Sequence, residues 1–476
     1  MAAYRSRGWA REGGSRGSAF LPLASFLSVC LFPALPASAI VDLTETDGTV
    51  SFAHGDHNHV GCLACAGGTA PVEFGDFQIN NRWTSTTLTP LGVGTRGTPL
   101  MLTWGCAQAG SIIQSTRPTE ATGPSSLIAF LDNIRDPAST GGADLTQRAW
   151  FSIFEQSFGR IDELSGVRYV YEPNDDGATI SGLVNSSTRG SAGVRPDIRI
   201  GGHSVDGQSS PNTLAYNYFP PAGDMVLDTD NVNLYSSTFL NDLQFRQVIM
   251  HEAGHGLGLS HVESNNSNQL MEPFLNIAFD GPQFDDILAL HRNYGDARES
   301  NGGNDSLFTA DDLGDFSIGD EFALGTDARD NSSIVTPDMV DFVSIDGTSD
   351  EDWFKFTVTE PAVTVDITVT PKGPIYNEGA QNGTQQIFAA AFLNDLRLEL
   401  YDADLNVLAD LDETVAGGAE SAAAVVLGPG DYFVAISGSI NQVQMYRLDL
   451  IFAPEPAAAV AALGVITLLG RRRRRV

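Results

Sequence analysis

The stretch HEAGHGLGLSH, residues 251–261, places three histidines and one glutamate in a short segment of a 476-residue chain that contains 8 histidines in total. Upstream of it, Asn241 followed by Gln244 predicts a helix N-cap with its capping-box partner. Residues four positions apart lie on the same face of a helix. We therefore expect His251 and His255 to project side by side from one helix.

Two glycines predict where this helix ends. Gly256 weakens it and Gly258 ends it, because glycine tolerates the left-handed backbone of a helix C-cap. A chain that turns at Gly258 can bring His261 back to the other two histidines. Three neutral imidazoles with an open fourth position are typical of a catalytic zinc site. The sequence thus predicts one catalytic Zn²⁺, with Glu252 close to the ion but not necessarily bound to it.

The pattern HExxHxxGxxH is the zinc signature of the metzincins, and HEAGHGLGLSH resembles the matrixin branch, the family of the matrix metalloproteases. Ten residues after the third histidine, NQLMEPF places Met271 where that family has its methionine turn. QFDDILALHRNYGD (283–296) resembles the matrixin C-terminal helix, and PDIRIGG and LAYNYFPPAGDMVLDTDN resemble upstream segments. The resemblance runs from about Arg82 to Asp296.

The resemblance implies an α/β (α+β) metzincin catalytic domain over 77–296, with a twisted, mostly parallel sheet and a zinc-binding helix. It implies an antiparallel edge strand at LAYNY (214–218), where a protein or peptide substrate would bind by strand addition. It also implies endopeptidase activity, in which a zinc-activated water attacks the peptide bond and Glu252 acts as the general base. Met271 would support the ligands from below.

Sequence patterns predict further elements of this domain. Asp144 to Ser165 is expected to form a helix, with Asp144 as its cap and Gln147 at the capping-box position. Strands are expected in RWTSTTL (82–88), TPLMLTWG (98–105), VRYVYEP (167–173) and DIRIGG (197–202).

The matrixin resemblance also concerns the family's structural metals. Two histidines that hold a second, structural zinc in matrixins are replaced here by Tyr216 and Val226, so we predict that this zinc is absent. The family's calcium ligands are better preserved, and Ca²⁺ prefers hard oxygen ligands. The expected calcium ligands are Asp197, Asp206, Asp224 and Asp228.

The N-terminus has the organisation of a secretory signal. Four arginines precede the apolar stretch AFLPLASFLSVCLFPALPASA, which ends in Ala37-Ser38-Ala39. Cleavage is expected before Ile40, so that residues 1–39 form the signal peptide.

The segment 40–76 leaves three interpretations open. It clusters His54, His57, His59, Cys62 and Cys65 just before the catalytic region. The cluster could bind metal, or it could be a prosegment whose thiolate caps the zinc, or it could be a polar linker with one disulfide. Cleavage of the signal leaves three cysteines, and this odd number argues against a framework built from disulfides alone.

The C-terminal segment 453–476 reads APEPAAAVAALGVITLLGRRRRRV. Its apolar run from Ala457 to Leu469 would reach about 20 Å as a helix, which is short of the ~30 Å core of a bilayer. A Pro-Glu-Pro motif, an apolar run and a basic end, in that order, resemble the PEP-CTERM sorting signal of Gram-negative bacteria. The resemblance implies an exosortase-type partner and only transient contact with the membrane.

Between the linker 297–303 and the sorting segment, residues 304–452 have the alternation of β-strands. Alternating apolar residues occur at Val363 to Val369, Leu396 to Leu400 and Tyr446 to Leu450. SDEDWFKFTV and GDYFVAISG resemble the pre-peptidase C-terminal domain, a β-sandwich of secreted bacterial proteases. An unrelated β-sandwich of the same size is the alternative.

The net charge of the chain limits the kinds of molecule that it can bind. Segment 40–456 holds 18 basic and 58 acidic residues, a net charge of about −40. Such a charge argues against nucleic acid or anionic lipid as partners and suits a secreted, extracellular or cell-surface protein. The alternative function is an inactive surface adhesin or matrix-binding protein that uses the β-domain. The intact Glu252 argues against this alternative.

Overall fold

The computed structural model describes residues 79–89, 94–116, 120–182, 190–208, 212–300 and 302–455, together with the backbone of Val50–Ser51. The predicted signal peptide, the Cys62 and Cys65 cluster, and the apolar tail from Ala457 onward lie outside these residues. Within the described part of the chain, no helix has the length and apolar character needed to cross a membrane.

Ten strands precede residue 300 in the described part of the chain, and five of them form one mixed sheet. In chain order the strands are β1 (Val50–Ser51), β2 (Leu100–Cys106), β3 (Ile112–Ile113), β4 (Gly123–Pro124), β5 (Val167–Tyr171), β6 (Ile198–His203), β7 (Asn212–Thr213), β8 (Ala215–Asn217), β9 (Met225–Asp228) and β10 (Val262–Ser264). The mixed sheet has the order β5-β2-β6-β9-β8. Its pairs are parallel, except that β8 runs antiparallel to β9 at the edge. The antiparallel edge strand expected at 214–218 is therefore present.

Five α-helices lie in the described part of the chain. They are α1 (Leu127–Arg135), α2 (Phe151–Leu164), α3 (Val232–Ser236), α4 (Leu243–Gly256) and α5 (Phe284–Tyr294). Trp104 of β2 stacks at 5.4 Å on Phe151 and at 6.1 Å on Phe154 of α2, so aromatic packing holds this helix against the sheet. Phe154 in turn packs edge-on against Phe245 of α4 at 5.5 Å. The sheet, α2 and α4 thus share one buried core.

The predicted helix from Asp144 to Ser165 was too long at its start. Asp144 does act as an N-cap, since its carboxylate accepts from Thr146 N at 3.1 Å, but it caps a single 3₁₀ turn, Leu145–Gln147. The backbone of Arg148 is then extended, and the α-helix begins at Phe151. The guanidinium of Arg148 binds Asp132 at 2.8 Å, and this tertiary contact holds the break.

The predicted N-cap of α4 was also wrong. Leu240, Asn241 and Asp242 all have positive φ, and the helix begins at Leu243 without a side-chain cap. The amide of Asn241 instead donates to Gln156 at 3.1 Å, and Asp242 pairs with Arg135 at 2.6 Å. Contacts with α1 and α2 therefore override the local capping signal.

The strand expected at 82–88 is absent, although these residues are described. Trp83 and the residues just before this segment instead bond to the end of α4 and to the turn after it. Asn80 N donates to Gly258 O at 2.8 Å, and Trp83 Nε1 donates to Gly256 O at 2.8 Å. These bonds thus join this part of the chain to the end of the histidine-bearing helix.

The chain after residue 304 is built from strands. They are β11 (Asp311–Phe316), β12 (Glu321–Leu324), β13 (Val343–Ile345), β14 (Glu351–Val358), β15 (Val363–Pro371), β16 (Ile375–Ala380), β17 (Gln386–Ala389), β18 (Leu396–Asp402), β19 (Val407–Leu411), β20 (Glu420–Leu427), β21 (Gly430–Gly438) and β22 (Gln444–Pro454), with a 3₁₀ turn at Ala390–Phe392. Two five-stranded sheets form, one ordered β11-β14-β21-β18-β19 and one in which β12-β22-β15-β20 is joined by β13. Both sheets contribute to one apolar core, as a sandwich requires. The alternating residues expected from the sequence face this core and are buried.

One small sheet joins the two halves of the described chain. Its order is β10-β16-β17, so the hairpin formed by β16 and β17 pairs with the strand that follows the third histidine. Tyr376 of this hairpin donates to Asp285 of α5 at 2.8 Å. The β-domain thus contacts the first half of the described chain next to the histidine cluster.

Candidate metal centre

Helix α4 and the turn after it bring the three histidines together. His251 and His255 lie one turn apart near the end of α4. Gly258 has φ +98°, and the N–H of Leu259 then bonds back to Gly254 O at 2.9 Å. This tight reversal returns His261 to the helix, as the glycine pattern predicts.

The imidazoles converge through their Nε2 atoms. His261 Nε2 lies 3.1 Å from His251 Nε2 and 3.2 Å from His255 Nε2. All three rings are buried, His261 being the most exposed at 4 %. The predicted trio is thus one of the two groups of potential metal-ligating side chains that converge among the described residues.

Each histidine uses its other nitrogen in a hydrogen bond. His251 Nδ1 lies 2.7 Å from Leu270 O, and His255 Nδ1 lies 2.7 Å from Leu259 O. A carbonyl oxygen can only accept, so both Nδ1 atoms donate. His261 Nδ1 lies 3.0 Å from the side-chain oxygen of Gln381, which also accepts.

This bonding pattern leaves the Nε2 lone pairs facing a common point. Neutral imidazoles that carry their proton on Nδ1 have none on Nε2. Zn–N bonds of about 2.0–2.1 Å at tetrahedral angles put two ligand nitrogens about 3.3–3.4 Å apart, close to the observed separations. The residues present therefore fit a zinc ion held by His251, His255 and His261.

Glu252 lies between two of these ligands in sequence. It is one residue from His251 on α4 and is completely buried. A one-residue step turns the side chain about 100° around a helix axis, so Glu252 leaves α4 in a different direction from its neighbour. This placement suits a group that acts beside a metal ion and is not a third helical ligand.

Met271 packs directly beneath the helix. A Cβ atom at position 254 would lie 2.4 Å from Met271 Sδ, so only glycine allows this approach. Asp286 of α5 fixes the methionine turn, because its carboxylate accepts from Leu270 N at 2.7 Å and from Met271 N at 3.0 Å. Burial raises the pKa of Asp286 to about 6. The same turn supplies Leu270 O, the acceptor for His251.

Several supporting residues were not singled out from the sequence. Tyr294 Oη and Asn293 Nδ2 both donate to Leu257 O, at 2.8 and 3.1 Å, and so bind the turn after α4. Trp83 binds the preceding carbonyl. These contacts join residues far apart in the chain, and no local periodicity or spacing signals them. Gln381 was missed for the same reason.

Tyr216 and Val226 occupy the two positions at which matrixins have histidines for the structural zinc, and they lie opposite each other in the sheet. Tyr216 of β8 pairs with Val226 of β9, and both belong to a small buried apolar cluster. Tyr216 Oη donates to Glu120 at 2.7 Å, and the same carboxylate oxygen lies 2.7 Å from His203 Nε2. Burial alone would raise the pKa of Glu120, but hydrogen bonds from His203, Thr116 and Tyr216 hold it below its usual value.

Metal analysis of the purified full-length protein is expected to give about one zinc per chain. Tyr216 and Val226 offer no imidazole, and Glu120 is already engaged by Tyr216 and His203. His203→Ala should leave the zinc content unchanged, whereas His251→Ala should abolish it. Two zinc ions that survive dialysis in the wild type would contradict the prediction, and so would one zinc ion that survives dialysis in His251→Ala.

Two of the four aspartates expected to bind calcium accept hydrogen bonds from residues that are distant in the sequence. The Asp197 carboxylate accepts from the N–H and hydroxyl groups of Thr87 and Thr103 at 2.7–3.0 Å. Asp224 accepts from Arg199 N at 3.0 Å, and burial raises its pKa to about 7. Neither residue belongs to a convergent ligand group among the described residues.

The other two expected calcium ligands are Asp206, in the loop after β6, and Asp228, the last residue of β9. Asp206 accepts from Gln208 N at 3.0 Å and Thr213 N at 2.7 Å. Asp228 accepts from Val205 N at 3.1 Å, and burial raises its pKa to about 7. In the described part of the chain the carboxylates that do converge are those of Glu299, Asp305 and Asp350.

Comparison with known proteins supports a matrixin-like metalloprotease region. Residues 197–295 match the family model described as matrixin, Peptidase_M10. The chain is 42% identical over 76 residues to human matrix metalloproteinase-15, a match that covers 14% of this chain and 11% of the human protein. The chain thus spans about a tenth of that relative's length. The family implies a zinc metallopeptidase that acts on proteins or peptides.

Two solved structures were also matched to the chain. The pre-peptidase C-terminal domain of collagenase from Bacillus anthracis shares 12% identity, with a TM-score of 0.17, over 30% of this chain and 95% of that domain. A family GH115 4-O-methyl-α-glucuronidase shares 11% identity, with a TM-score of 0.15, over 47% of this chain and 24% of the glucuronidase. Both scores are too low to define a fold.

Proposed function

We propose that the protein is a secreted zinc endopeptidase that hydrolyses peptide bonds. The observation that carries the proposal is the convergence of three buried Nε2 atoms whose rings all donate through Nδ1. The lone pair of His261 Nε2, at 3.1 Å from that of His251 and 3.2 Å from that of His255, is repelled by both unless a cation lies between them. A site built this way, beside a buried glutamate, suits metal-assisted hydrolysis.

When bound, zinc supplies Lewis acidity to the attacking water and to the scissile carbonyl. Glu252 accepts the proton of that water as general base and delivers it to the leaving amine as general acid. The histidines keep their fixed tautomers throughout, because their Nδ1 protons stay bonded to Leu270 O, Leu259 O and Gln381. Met271 packs against α4 and takes no part in proton transfer.

The substrate is proposed to bind as an added strand along β8. This strand is at the edge of the mixed sheet. The ring of Phe219, just after β8, lies 5.7 Å from that of His255, and the edge therefore leads to the metal centre. Extended peptides pair with exposed sheet edges through main-chain hydrogen bonds.

Digestion of casein by the full-length protein tests this function. Activity should stop on addition of a zinc chelator and should be missing in His251→Ala. A full-length protein that holds zinc at the three histidines but cleaves neither casein nor a peptide library would instead favour the adhesin or matrix-binding alternative.

The proposal extends to the ends of the chain. Residues 1–39 would direct secretion, and 453–476 would be recognised and removed by an exosortase-type enzyme of a Gram-negative bacterium. Residues 304–452 would then form an attached β-domain of the extracellular or cell-surface enzyme. The basis for these assignments is the order of basic, apolar and Pro-Glu-Pro segments in the sequence.

We also propose that calcium stabilises the protein. The carboxylates of Glu299, Asp305 and Asp350 have ligand atoms within 4.8 Å of one another. Glu299 is 3% and Asp350 6% exposed, and one oxygen of each lacks a hydrogen-bond partner among the described residues. Burial, together with the nearby charge of Asp352, raises the pKa of Glu299 far above its usual value. Crowded carboxylates of this kind are stabilised by a hard divalent cation.

Millimolar Ca²⁺ is expected to raise the melting temperature of the full-length protein above its value in a calcium chelator, at fixed zinc. Occupancy at a hundredfold excess over Kd stabilises the native state by about 2.7 kcal/mol. Asp350→Asn should shrink the shift if calcium binds this cluster, and Asp224→Ala should shrink it if calcium binds the matrixin-type aspartates. An equal shift with Mg²⁺ or with matched NaCl would mean charge screening alone.

Two carboxyl groups beside this cluster, those of Asp296 and Asp346, predict a pH dependence in the absence of calcium. Burial raises the pKa of Asp296 to about 6 and that of Asp346 to about 7. The unfolded chain releases these protons near pH 4, while the folded protein keeps them, so stability falls as the pH rises from about 4 through 7. Calcium should flatten this dependence, and melting curves across that range measure it.

A further inference from the structure

The hairpin of the β-domain is aligned with the third zinc ligand. In the antiparallel pair of β10 and β16, Val262 is opposite Ala380, and Ser264 is opposite Glu378. Extending this register by one residue places Gln381 opposite His261, and their side chains meet at 3.0 Å. The contact is therefore set by strand pairing.

The hairpin is anchored well beyond this single contact. Asn265 N donates to Asn377 O at 3.0 Å, which continues the pairing in the other direction. Tyr376 bonds to Asp285, a residue that is 1% exposed, at 2.8 Å. Tyr376 and Phe388 also belong to the same buried apolar cluster as Met271. The carboxamide of Gln381 is thus presented to His261 by a hairpin that strand pairing and buried side chains anchor.

The three ligands differ in what holds their outer nitrogen. His251 and His255 bond to carbonyls of Leu270 and Leu259, which belong to the same local segment of chain. His261 depends on a side chain 120 residues further along. Outer hydrogen bonds fix the tautomer and orientation of metal-binding histidines, and their loss typically weakens metal binding about 10- to 100-fold.

We infer that Gln381 is a positioning residue of the zinc site. Through its hydrogen bond to Nδ1, this side chain of the β-domain orients the His261 ring for metal binding. The inference rests on the proposed zinc site. It makes the β-domain part of the catalytic unit, because the acceptor for the third ligand comes from β16 and the turn after it. Removing the acceptor would remove the hydrogen bond through which Gln381 orients the His261 ring.

Zinc affinity of the full-length protein, measured by competition with a chromogenic chelator, tests the inference. Gln381→Leu keeps the approximate size of the side chain but removes the acceptor, and should weaken zinc binding about 10- to 100-fold. Gln381→Glu retains an acceptor and should bind zinc at least as tightly as the wild type. Gln386→Leu makes the same change at an exposed site on β17 and should bind zinc like the wild type.

Two further readouts separate positioning from a merely structural contact. The zinc-free form of Gln381→Leu should melt at the wild-type temperature, and its cobalt-substituted form should show a shifted visible absorption spectrum that Gln381→Glu restores. Zinc affinity and a cobalt spectrum equal to wild type in Gln381→Leu would overturn the inference. A lower melting temperature of the zinc-free form, without rescue by Gln381→Glu, would also overturn it.

Failure of the inference is distinguishable from failure of the proposed function. If His251→Ala loses zinc while Gln381→Leu binds it normally, the zinc site stands and only the role of Gln381 is rejected. If the wild type holds no zinc, or if His251→Ala retains it, the zinc site and the role of Gln381 are rejected together.

Discussion

Replacing Glu252 with glutamine is expected to lower kcat/KM for a peptide substrate by about 10²- to 10⁴-fold, the range associated with loss of a general base. Glutamine has nearly the same size as glutamate but cannot accept a proton at neutral pH. Zinc content should not change, because the convergent ligand group contains the three histidines and not Glu252. Peptide cleavage and metal analysis on the same preparation measure both effects.

Glu155→Gln provides the matched control. Glu155 is exposed on α2, so the same change of charge should leave both cleavage and zinc content at their wild-type values. Near-normal cleavage by Glu252→Gln, with zinc and fold retained, would show that another group serves as the base.

The second large effect is expected at Gly258. An alanine there would need φ +98° and would place its Cβ 1.8 Å from Asn81 O, a backbone atom that cannot rotate away. We expect Gly258→Ala to destabilise the folded protein by more than about 2 kcal/mol. Zinc binding should weaken as well, because the turn carries Leu259 O, the acceptor for His255. Chemical denaturation and chelator competition measure the two losses.

Gly159→Ala is the control that tests whether the loss of stability is specific to position 258. Gly159 lies within α2, where a Cβ would meet no atom within 4 Å. Alanine is the better helix former, so this variant should gain about 0.5–1 kcal/mol of stability. Similar stabilities for Gly258→Ala and the wild type would mean that the turn after α4 relaxes without harm to the site.

The metal centre could be predicted because its geometry is local. His251 and His255 are fixed by the period of one helix, and Gly258 confines the return of His261 to a short turn. The strand at 214–218 and the helix at 283–296 were also predicted, because these segments resemble matrixin segments, and in the structure α5 begins with a capping box of Gln283 and Asp286.

The errors occur where distant contacts decide. Asn241 has the signal of an N-cap, but its side chain binds α2, and the helix begins two residues later. Trp83 lies in a stretch that favours a strand, yet its indole binds the turn after α4. Gln381 lies in an unremarkable polar turn, and only the pairing of β10 with β16 brings it to His261. Sequence spacing cannot encode such contacts, because they depend on how separate elements pack.

Titration of zinc into the metal-stripped full-length protein tests the central claim most directly. Peptide cleavage should return in proportion to added zinc and should reach its maximum at about one equivalent per chain, and His251→Ala should stay inactive at every zinc concentration. Cleavage that persists without zinc, or that returns in His251→Ala, would show that the site formed by His251, His255 and His261 is not the catalytic centre.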